Sequence, residues 1–432
     1  MLQSLVAAFR IPDLKNRITF LFMMFAVYVI GLHISVPGVN LEALNKNFGG
    51  GLLDILNTFT GGALKKFTIF ALGIMPYINA SIIMQLLTIA VPQLEELQKE
   101  GAAGQKKIKL WTRWLTMVLA FVQAVGTTKL IQSYGAIQIH NNWQMAQVII
   151  TLVAGTAFLM WLGEQITEHG IGNGVSIVIF TGIVAMLPRQ IADTIVVQWG
   201  NRNYSGLLLL ALLFVGTVAF MIAVTQAQRK IPIQHVKRVV GNKMYGGQSS
   251  FLPLKVNSAG VIPIIFAISI QLFPMTIVSM FSQGDKTGWW YHFANFISPG
   301  TGTWGSNGGS WVGSLLYALL IIGFTYFYTA VTFNVKDVSD NLKKWGSFIP
   351  GIRPGKPTQD YLDRVMTRIT LAGAVFLAII ALLQYYVPAL TNVTTFTLVG
   401  GTSLLIVVGV ALETMQAIES HLLMRHYEGF IK

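Results

Sequence analysis

The segment Ala71–Leu87 reads ALGIMPYINASIIMQLL and carries no charged residue. It lies within an uncharged, largely apolar run over residues 69–91, and about 20 such residues suffice to cross the ~30 Å hydrocarbon core of a bilayer. Nine further predominantly apolar runs occur elsewhere along the chain. The sequence therefore predicts ten transmembrane spans, at residues 18–36, 69–91, 111–133, 145–166, 171–188, 206–226, 257–281, 311–334, 369–388 and 396–420, the fifth of which is short.

The composition also indicates a membrane protein that crosses the bilayer many times. Of the 432 residues, 53% are hydrophobic and 11% are charged, whereas soluble globular proteins carry about 25% charged residues. So few charges exclude an ordinary soluble enzyme. The chain has no cysteine, which excludes disulfides, thiol catalysis and cysteine-based metal sites.

The basic residues are distributed unequally between the two sides of the predicted membrane. Of the 30 Lys and Arg residues, all but seven lie on the side that holds both termini. Because basic residues concentrate in cytoplasmic loops, we expect both termini to be cytoplasmic. Insertion signals and attraction to anionic lipids explain most of this excess. The seven on the opposite side are Lys46, Lys65, Lys66, Lys129, Arg189, Arg202 and Lys286.

Ten spans divide into an N-terminal half, residues 1–190, and a C-terminal half, residues 191–432. An odd number of spans in each half inverts the second half relative to the first, as in proteins built from inverted repeats. The predicted fold is an all-α polytopic membrane protein with two inverted five-helix halves. No residue-level similarity between the halves supports the repeat, which follows from the span count alone.

The cytoplasmic loop between spans 6 and 7, residues 227–256, is strongly basic. Within it, Gly241-Asn242 separates two β-prone segments, a two-residue signal for a β-hairpin. The loop therefore predicts a projecting basic hairpin. Two interpretations are compatible with this charge. The loop is either an ordinary solvated surface or a docking site for a cytosolic partner, including an RNA-rich one. The loop has no acid, and its basic residues are Arg229, Lys230, Lys237, Arg238, Lys243 and Lys255.

The loop between spans 8 and 9, residues 335–368, contains a turn at Phe348–Gly355 that presents one arginine. Arg353 stands between Pro350-Gly351 and Pro354-Gly355, so fixed and permissive backbone positions surround it. Two interpretations stay open. Arg353 either pairs with lipid phosphates or with nearby aspartates, or contacts a cytosolic partner. Loops of this length are usually functional or disordered.

A short apolar helix is predicted at about residues 52–60, before the second span. Leu52, Ile55, Leu56 and Phe59 follow helical i, i+3, i+4, i+7 spacing. About nine helical residues rise only ~13 Å, which is too short to cross the membrane. The helix is therefore interfacial or re-entrant, and a re-entrant helix must lie in protein or in a water-filled cavity. The pattern alone favours interfacial packing.

Several chemistries are absent from the sequence. Charged residues avoid the middle of nearly every span, whereas ion-coupled transporters need ionisable groups there. No GxxxxGK[ST] motif and no acidic or histidine cluster with metal-ligand spacing occurs. We therefore expect no enzyme activity, no cofactor and no metal site.

Two spans instead carry aliphatic pairs one helical turn apart. Ile78 and Ile82 share a face after Pro76, and Val175 and Ile179 share a face after the Gly170–Gly174 run. In most membrane helices such residues face lipid or pack against neighbours. The rarer use is a hydrophobic constriction that seals a pore against water and ions.

Five segments resemble the SecY family, the central subunits of protein-conducting channels. The resemblance extends from Ile11 to Lys432, although the tip of the basic loop holds Asn242-Lys243 where many relatives carry two adjacent basic residues. The segments are Ala71–Leu87, Trp161–Thr167 with Gly170–Ser176, Pro253–Asn257 with Gly260–Pro263, Phe348–Gly355 and Gly400–Ile406.

The resemblance implies a bacterial translocon subunit in the cytoplasmic membrane, an hourglass of two halves hinged between spans 5 and 6. It implies that the short helix is a plug, which replaces the interfacial interpretation, and that a lateral gate opens between spans 2–3 and 7–8. The residues assigned in this way are the pore ring Ile78, Ile82, Val175, Ile179, Ile265 and Ile406, the plug residues Leu52, Leu53, Ile55, Leu56 and Phe59, and the gate residues Gln85 and Asn257.

The resemblance also implies partners. The cytoplasmic loops would dock the SecA motor ATPase or the ribosome through Lys230, Lys237, Arg238, Lys243 and Arg353. SecE and SecG would be membrane partners, and signal sequences and nascent polypeptides would be the substrates. A small-solute transporter or lipid flippase is a weaker alternative because the spans lack charge and the loops are long. An insertase or scaffold without a pore would not need an aliphatic ring.

Overall fold

Helices account for most of the structure. The computed structural model describes residues 11–47, 57, 60–133, 135–137, 141–235, 238–240, 243–245, 249–281, 288–302, 309–391, 393 and 401–428. The helices before residue 201 are α1 (Pro12–Gly31), α2 (Leu41–Asn47), α3 (Met75–Ala90), α4 (Pro92–Lys99), α5 (Ala102–Ser133), α6 (Asn142–His169) and α7 (Gly174–Gly200).

The second part of the chain combines helices with short strands. Its helices are α8 (Tyr204–Gln226), α9 (Ile262–Phe281), α10 (Trp289–Ile297), α11 (Trp311–Thr332), α12 (Val335–Lys344), α13 (Lys356–Thr391) and α14 (Thr402–Glu428). Its strands are β1 (Gln228–His235), β2 (Arg238–Val240), β3 (Lys243–Tyr245), β4 (Ser249–Lys255), β5 (Pro299–Gly302) and β6 (Ser347–Phe348).

Each of the ten predicted spans overlaps one helix. Within the described part of the chain, eight helices are long and apolar enough to cross a membrane, or nine if α3 and α4, which meet at a 100° bend, form one broken span. The described apolar part of α9, Ile262–Gln271, is shorter than a full crossing. The membrane fold is confirmed, and the count of ten stays a prediction.

The prediction of a short fifth span is wrong. Helix α7 continues through Pro188 to Gly200, so the span and the following segment form one helix of 27 residues. Arg189 and Asp193 form an exposed i,i+4 ion pair in this extension, while Ile195 and Val196 remain exposed. A single proline within a membrane helix is tolerated because neighbouring groups satisfy the freed carbonyl, and for this reason Pro188 does not mark the end.

The start of α7 is fixed by side-chain caps and by a close backbone approach. The Asn173 side chain accepts hydrogen bonds from the backbone N–H groups of Val175 and Ser176, as N-cap residues do. Thr167 Oγ1 accepts a third bond, 2.9 Å long, from Gly174 N. A Cβ at Gly174 would overlap the carbonyl oxygen of Gly163 in α6. The absence of that Cβ lets α7 start directly against α6.

The segment before α3 is non-helical and buried, although the sequence predicted a span from residue 69. Residues 60–74 form turns, and Phe67 and Phe70 within them are almost fully buried. Phe70 stacks between Tyr28 of α1 and Phe158 of α6, with ring centroids 5.8 and 5.9 Å apart. Irregular backbone at membrane depth requires such enclosure within protein.

The two long loops, between spans 6 and 7 and between spans 8 and 9, join in one small sheet. Strand β1 pairs antiparallel with β4 on one side and with β6 on the other, so the strand order is β4-β1-β6. His235 ties the loops together, with Ser347 Oγ 2.8 Å from Nδ1 and Ser250 Oγ 3.3 Å from Nε2. A separate apolar core lies beneath, formed by Ile231, Leu254, Ile349, Leu362 and Met366.

The predicted hairpin is confirmed at the end of this sheet. Strands β2 and β3 pair antiparallel, and Val240 lies opposite Lys243, which leaves two residues for the turn as Gly241-Asn242 indicated. The sequence did not predict that the loop between spans 8 and 9 would supply a third strand.

We predict that Gly174→Ala lowers stability while Gly216→Ala does not. Overpacking at Gly174 should cost about 1–3 kcal/mol, because the new methyl group meets the Gly163 carbonyl oxygen. Gly216 lies inside α8 with open space around its Cβ position, so it is a matched control. Thermal unfolding in detergent measures both. Equal melting temperatures for the two variants would contradict the assigned α6–α7 contact.

Candidate channel constriction

The six predicted ring residues come from four helices in both halves of the chain. Ile82, Ile179 and Ile406 are buried, with 7%, 6% and 2% of their surface exposed, and the other three are half-buried. Five of the six, all but Ile82, belong to one continuous apolar cluster. The six residues are Ile78 and Ile82 of α3, Val175 and Ile179 of α7, Ile265 of α9 and Ile406 of α14.

Helix contacts hold this cluster closed. Helix α7 packs against α14 and α8, and α9 packs against α3 and α5. Helices from before and after residue 190 therefore meet at this cluster, and little of the surface of Ile82, Ile179 and Ile406 is exposed. A small ring of this kind excludes ions because water leaves apolar constrictions.

Buried polar groups in the described residues are uncharged. They are Thr, Ser, Asn and Gln, and most of the threonines bond a carbonyl one turn earlier in their own helix, as Thr181 bonds Ile177 at 2.7 Å. Among the same residues, no group of His, Cys, Asp and Glu side chains could hold a metal ion. An ion-coupled transport site would need a buried charge.

The plug residues Leu52, Leu53, Ile55, Leu56 and Phe59 lie outside the described residues. The described residues next to them show how the segment is fixed to the protein. Asn57 is buried, its Oδ1 accepts a 2.8 Å bond from Lys65 N, and its carbonyl accepts a 2.9 Å bond from Gly62 N. Gly61, with φ +65°, lies so close to Gly182 of α7 that a Cβ on Gly61 would overlap the Gly182 backbone.

The predicted gate residues differ in environment. Gln85 of α3 is exposed, whereas Asn257, just before α9, is 8% exposed. The Oδ1 atom of Asn257 is buried without a hydrogen-bond partner, which is costly in an apolar setting. Gly373 of α13 permits close packing here, because a Cβ would overlap the Val256 carbonyl oxygen.

The predicted docking residues are on the cytoplasmic sheet and its hairpin. Lys230 is exposed on β1, while Arg238 and Lys243 occupy β2 and β3. Lys237 lies outside the described residues.

Arg353 is exposed on a rigid turn. Gly351 and Gly355, with φ +81° and +97°, adopt the left-handed backbone that glycine favours. Thr358 Oγ1 donates a 2.8 Å bond to the Arg353 carbonyl, and Ser339 Oγ donates a 3.0 Å bond to that of Gly355. The four ion pairs among the described residues do not include Arg353, so the alternative of pairing with Asp360 or Asp363 lacks support.

Sequence reasoning missed an ion pair between two spans. Arg113 of α5 donates two hydrogen bonds to Glu164 of α6, with Nε–Oε1 and Nη2–Oε2 distances of 2.7 and 2.6 Å. Bidentate geometry of this kind gives the strongest hydrogen-bonded pairs. The sequence signal was available, since one basic and one acidic residue stand near the ends of adjacent predicted spans.

Comparisons with known proteins agree on one family. A family model described as SecY matches residues 68–415. The protein translocase subunit SecY of Halalkalibacterium halodurans is 46% identical over the full length of both chains. Two solved structures share the fold. One is described as "The structure of a protein conducting channel", with TM-score 0.63, 20% identity and coverage of 94% of this chain and 92% of that one. The other is Sec61 in the canine ribosome-channel complex from the endoplasmic reticulum, with TM-score 0.60, 18% identity and the same coverage.

The Arg113–Glu164 pair supports a double-mutant prediction. Arg113→Leu should lower stability by about 1–3 kcal/mol, because it leaves the Glu164 carboxylate half-buried without its donor. The double variant Arg113→Leu/Glu164→Leu should recover part of that loss. The melting temperatures of the unmodified protein, the two single variants and the double variant give the coupling energy between Arg113 and Glu164. Additive losses would show that the two residues do not stabilise each other.

Proposed function

This chain belongs to the SecY family, and from that premise we propose that it is the pore-forming subunit of a protein translocation channel. It passes unfolded secretory polypeptides across the membrane and releases membrane helices through a lateral gate. The observation that carries this proposal is the apolar cluster in which aliphatic residues of α3, α7, α9 and α14 meet between the two halves.

The ring seals the resting channel and yields to a polypeptide. Branched aliphatic side chains offer no hydrogen bonds to water or ions, so a closed ring blocks leakage without any charged group. The same side chains have no chemical preference among unfolded sequences. Such a ring suits a channel that carries diverse polypeptides better than a transporter specific for one solute.

The plug lies below the ring and the gate beside it. The plug helix, about residues 52–60, is enclosed by protein rather than lipid, and the buried Asn57 and the Gly61–Gly182 contact support this position. The gate lies where α9 meets α3 and α5. Signal sequences and nascent membrane helices pass into lipid through this contact.

The halves, residues 1–190 and 191–432, hinge at the turn between α7 and α8. Asn203 caps α8 through a 3.0 Å bond from Gly206 N, and its Nδ2 donates to Gln198 Oε1 at 3.1 Å and to Thr391 O at 3.3 Å. These bonds join the end of α7, the start of α8 and the end of α13, and so fix the turn in one position.

The driving force comes from partners, since the chain itself has no nucleotide-binding motif. We place both termini and the basic sheet in the cytoplasm of a bacterial cell, with the SecA motor ATPase or the ribosome docked through Lys230, Lys237, Arg238, Lys243 and Arg353. SecE and SecG are the membrane partners, and anionic lipids bind the remaining basic surface. The chain is a channel, not an enzyme.

The proposed seal predicts that polar substitutions in the ring cause an ion leak. The double variant Ile82→Ser/Ile179→Ser should raise resting conductance in planar bilayers well above that of the unmodified channel, because hydroxyl groups wet the constriction. Ile82→Leu/Ile179→Leu keeps the ring apolar and should remain tight. Ile83→Ser is a further control, since Ile83 is the exposed neighbour on α3.

Background conductance in the serine double variant, with normal folding by thermal unfolding, would reject the ring assignment. An equal leak from Ile83→Ser would reject it too, because the effect would then not be specific to the buried face.

If Arg353 docks a cytosolic partner, its substitution should reduce partner-driven transport. Arg353→Glu should abolish motor-driven or ribosome-driven translocation in reconstituted vesicles, and Arg353→Lys should reduce it, because lysine lacks the planar fork of donors. Stability should change by less than about 0.5 kcal/mol, as for other exposed residues. The matched control is Arg202→Glu, the same charge change at an exposed turn on the opposite side. Full transport by Arg353→Glu would argue against docking through this turn.

A further inference from the structure

Helix α10 presents its aromatic side chains outward and a polar residue inward. Trp289, Trp290 and Phe293 are 59%, 66% and 38% exposed, whereas Ala294 and Asn295 on the opposite face are buried. The exposed rings form a compact group, with the Trp289 ring 4.7 Å from that of Trp290 and 5.5 Å from that of Phe293. In water this arrangement would leave a large apolar patch uncovered.

Hydrogen bonds fasten the end of α10 to the two neighbouring helices. The Gln271 Nε2 group of α9 donates to Ile297 O at 2.7 Å and to Gly313 O at 2.6 Å. One side chain thus joins α9, the last residue of α10 and the first turn of α11. Ser310 Oγ also donates to Phe296 O, and Gly313 leaves room for the carbonyl of Ser298.

The attachment point sets the level of α10 relative to the membrane. Helix α11 begins at Trp311 and exposes Trp311, Leu315 and Leu319, spaced by four residues, at 57%, 55% and 58%. This stripe is the lipid-facing surface of a span, and tryptophan at the end of a span marks the membrane interface. Helix α10 ends at the same level, since Gln271 joins its last residue to the first turn of α11, and its nine residues extend ~13 Å, too little to cross.

We propose that α10 is an in-plane membrane anchor whose face of Trp289, Trp290 and Phe293 inserts into the lipid interface at the α9–α11 end. The helix has no acidic residue and no lysine or arginine, so lipid acyl chains and glycerol groups are the matching partner. Aromatic residues favour this boundary because their rings are apolar and the indole N–H can reach polar groups. The anchor holds the ends of α9 and α11 at a fixed depth.

The absence of cysteine makes a direct depth measurement possible. Three variants of the full chain each carry a single cysteine, in place of Trp290, Leu319 or Trp345. Each variant is labelled with an environment-sensitive fluorophore and placed in phosphatidylcholine vesicles. Lipids with a spin label near the headgroup or deep in the acyl chain, and aqueous iodide, serve as quenchers. Leu319 is the deep-lipid control. Trp345, which caps α12 in the cytoplasmic domain and is 76% exposed, is the aqueous control.

We expect the shallow lipid quencher to remove most of the fluorescence of the probe at Trp290, and the deep quencher to remove less. The probe at Leu319 should show the reverse order, and that at Trp345 should respond to iodide alone. A Trp290 probe that behaves like the Trp345 probe overturns the anchor in favour of a water-exposed patch. Protection from all three quenchers also overturns it, because a protein partner or a second copy would then cover the face. Phe293→Cys repeats the measurement at a second position.

Discussion

The hydrocarbon core of a membrane offers no hydrogen-bond partners and penalises charge, and this constraint governs the whole chain. Backbone groups must be satisfied internally, which favours helices and forces non-helical segments inside the protein. The turns of residues 60–74 obey this rule, since Lys65 N and Thr68 N find acceptors in Asn57 and Ala63. Charge is penalised in the same way, and among the described residues the one ion pair that joins two spans, Arg113–Glu164, has bidentate geometry.

Close helix packing then depends on small residues, because lipid tails are as apolar as leucine and provide no hydrophobic force between helices. Gly174 against Gly163, and Gly61 against Gly182, bring backbones into contact where a methyl group would not fit. The first contact fixes where α7 starts and therefore the depth of Val175 and Ile179. The second fixes the segment that leads from the plug to α3. The positions of Val175 and Ile179, and of the turns before α3, are thus consequences of glycine contacts on α7.

Much of the fold could be predicted from the sequence, and the failures have physical causes. Each predicted apolar run overlaps a helix, and Gly241-Asn242 located the hairpin. The length of α7 was missed because the predicted span ended at residue 188, whereas the helix continues through Pro188 into a segment that carries Arg189 and Asp193. The joining of the two cytoplasmic loops was missed because the pairing of β1 with β6 spans more than a hundred residues and has no local signal. For the ring, the sequence offered aliphatic pairs at helical spacing, but spacing alone cannot distinguish a seal from ordinary packing. Family resemblance supplied that assignment.

The same balance of forces bears on how the proposed gate would open. Helix α9 meets α3 and α5 on one side, while on the other it is joined to α10 and α11 by the two Gln271 bonds and by edge contacts of Phe266 with Phe324 and Tyr328. Buried amide bonds are costly to break without replacement, and lipid offers none. Contacts between apolar helix surfaces can be exchanged for contacts with lipid or with an entering apolar helix at little cost. We therefore expect the gate to open by separation of α9 from α3 and α5, with α9, α10 and α11 moving as one unit.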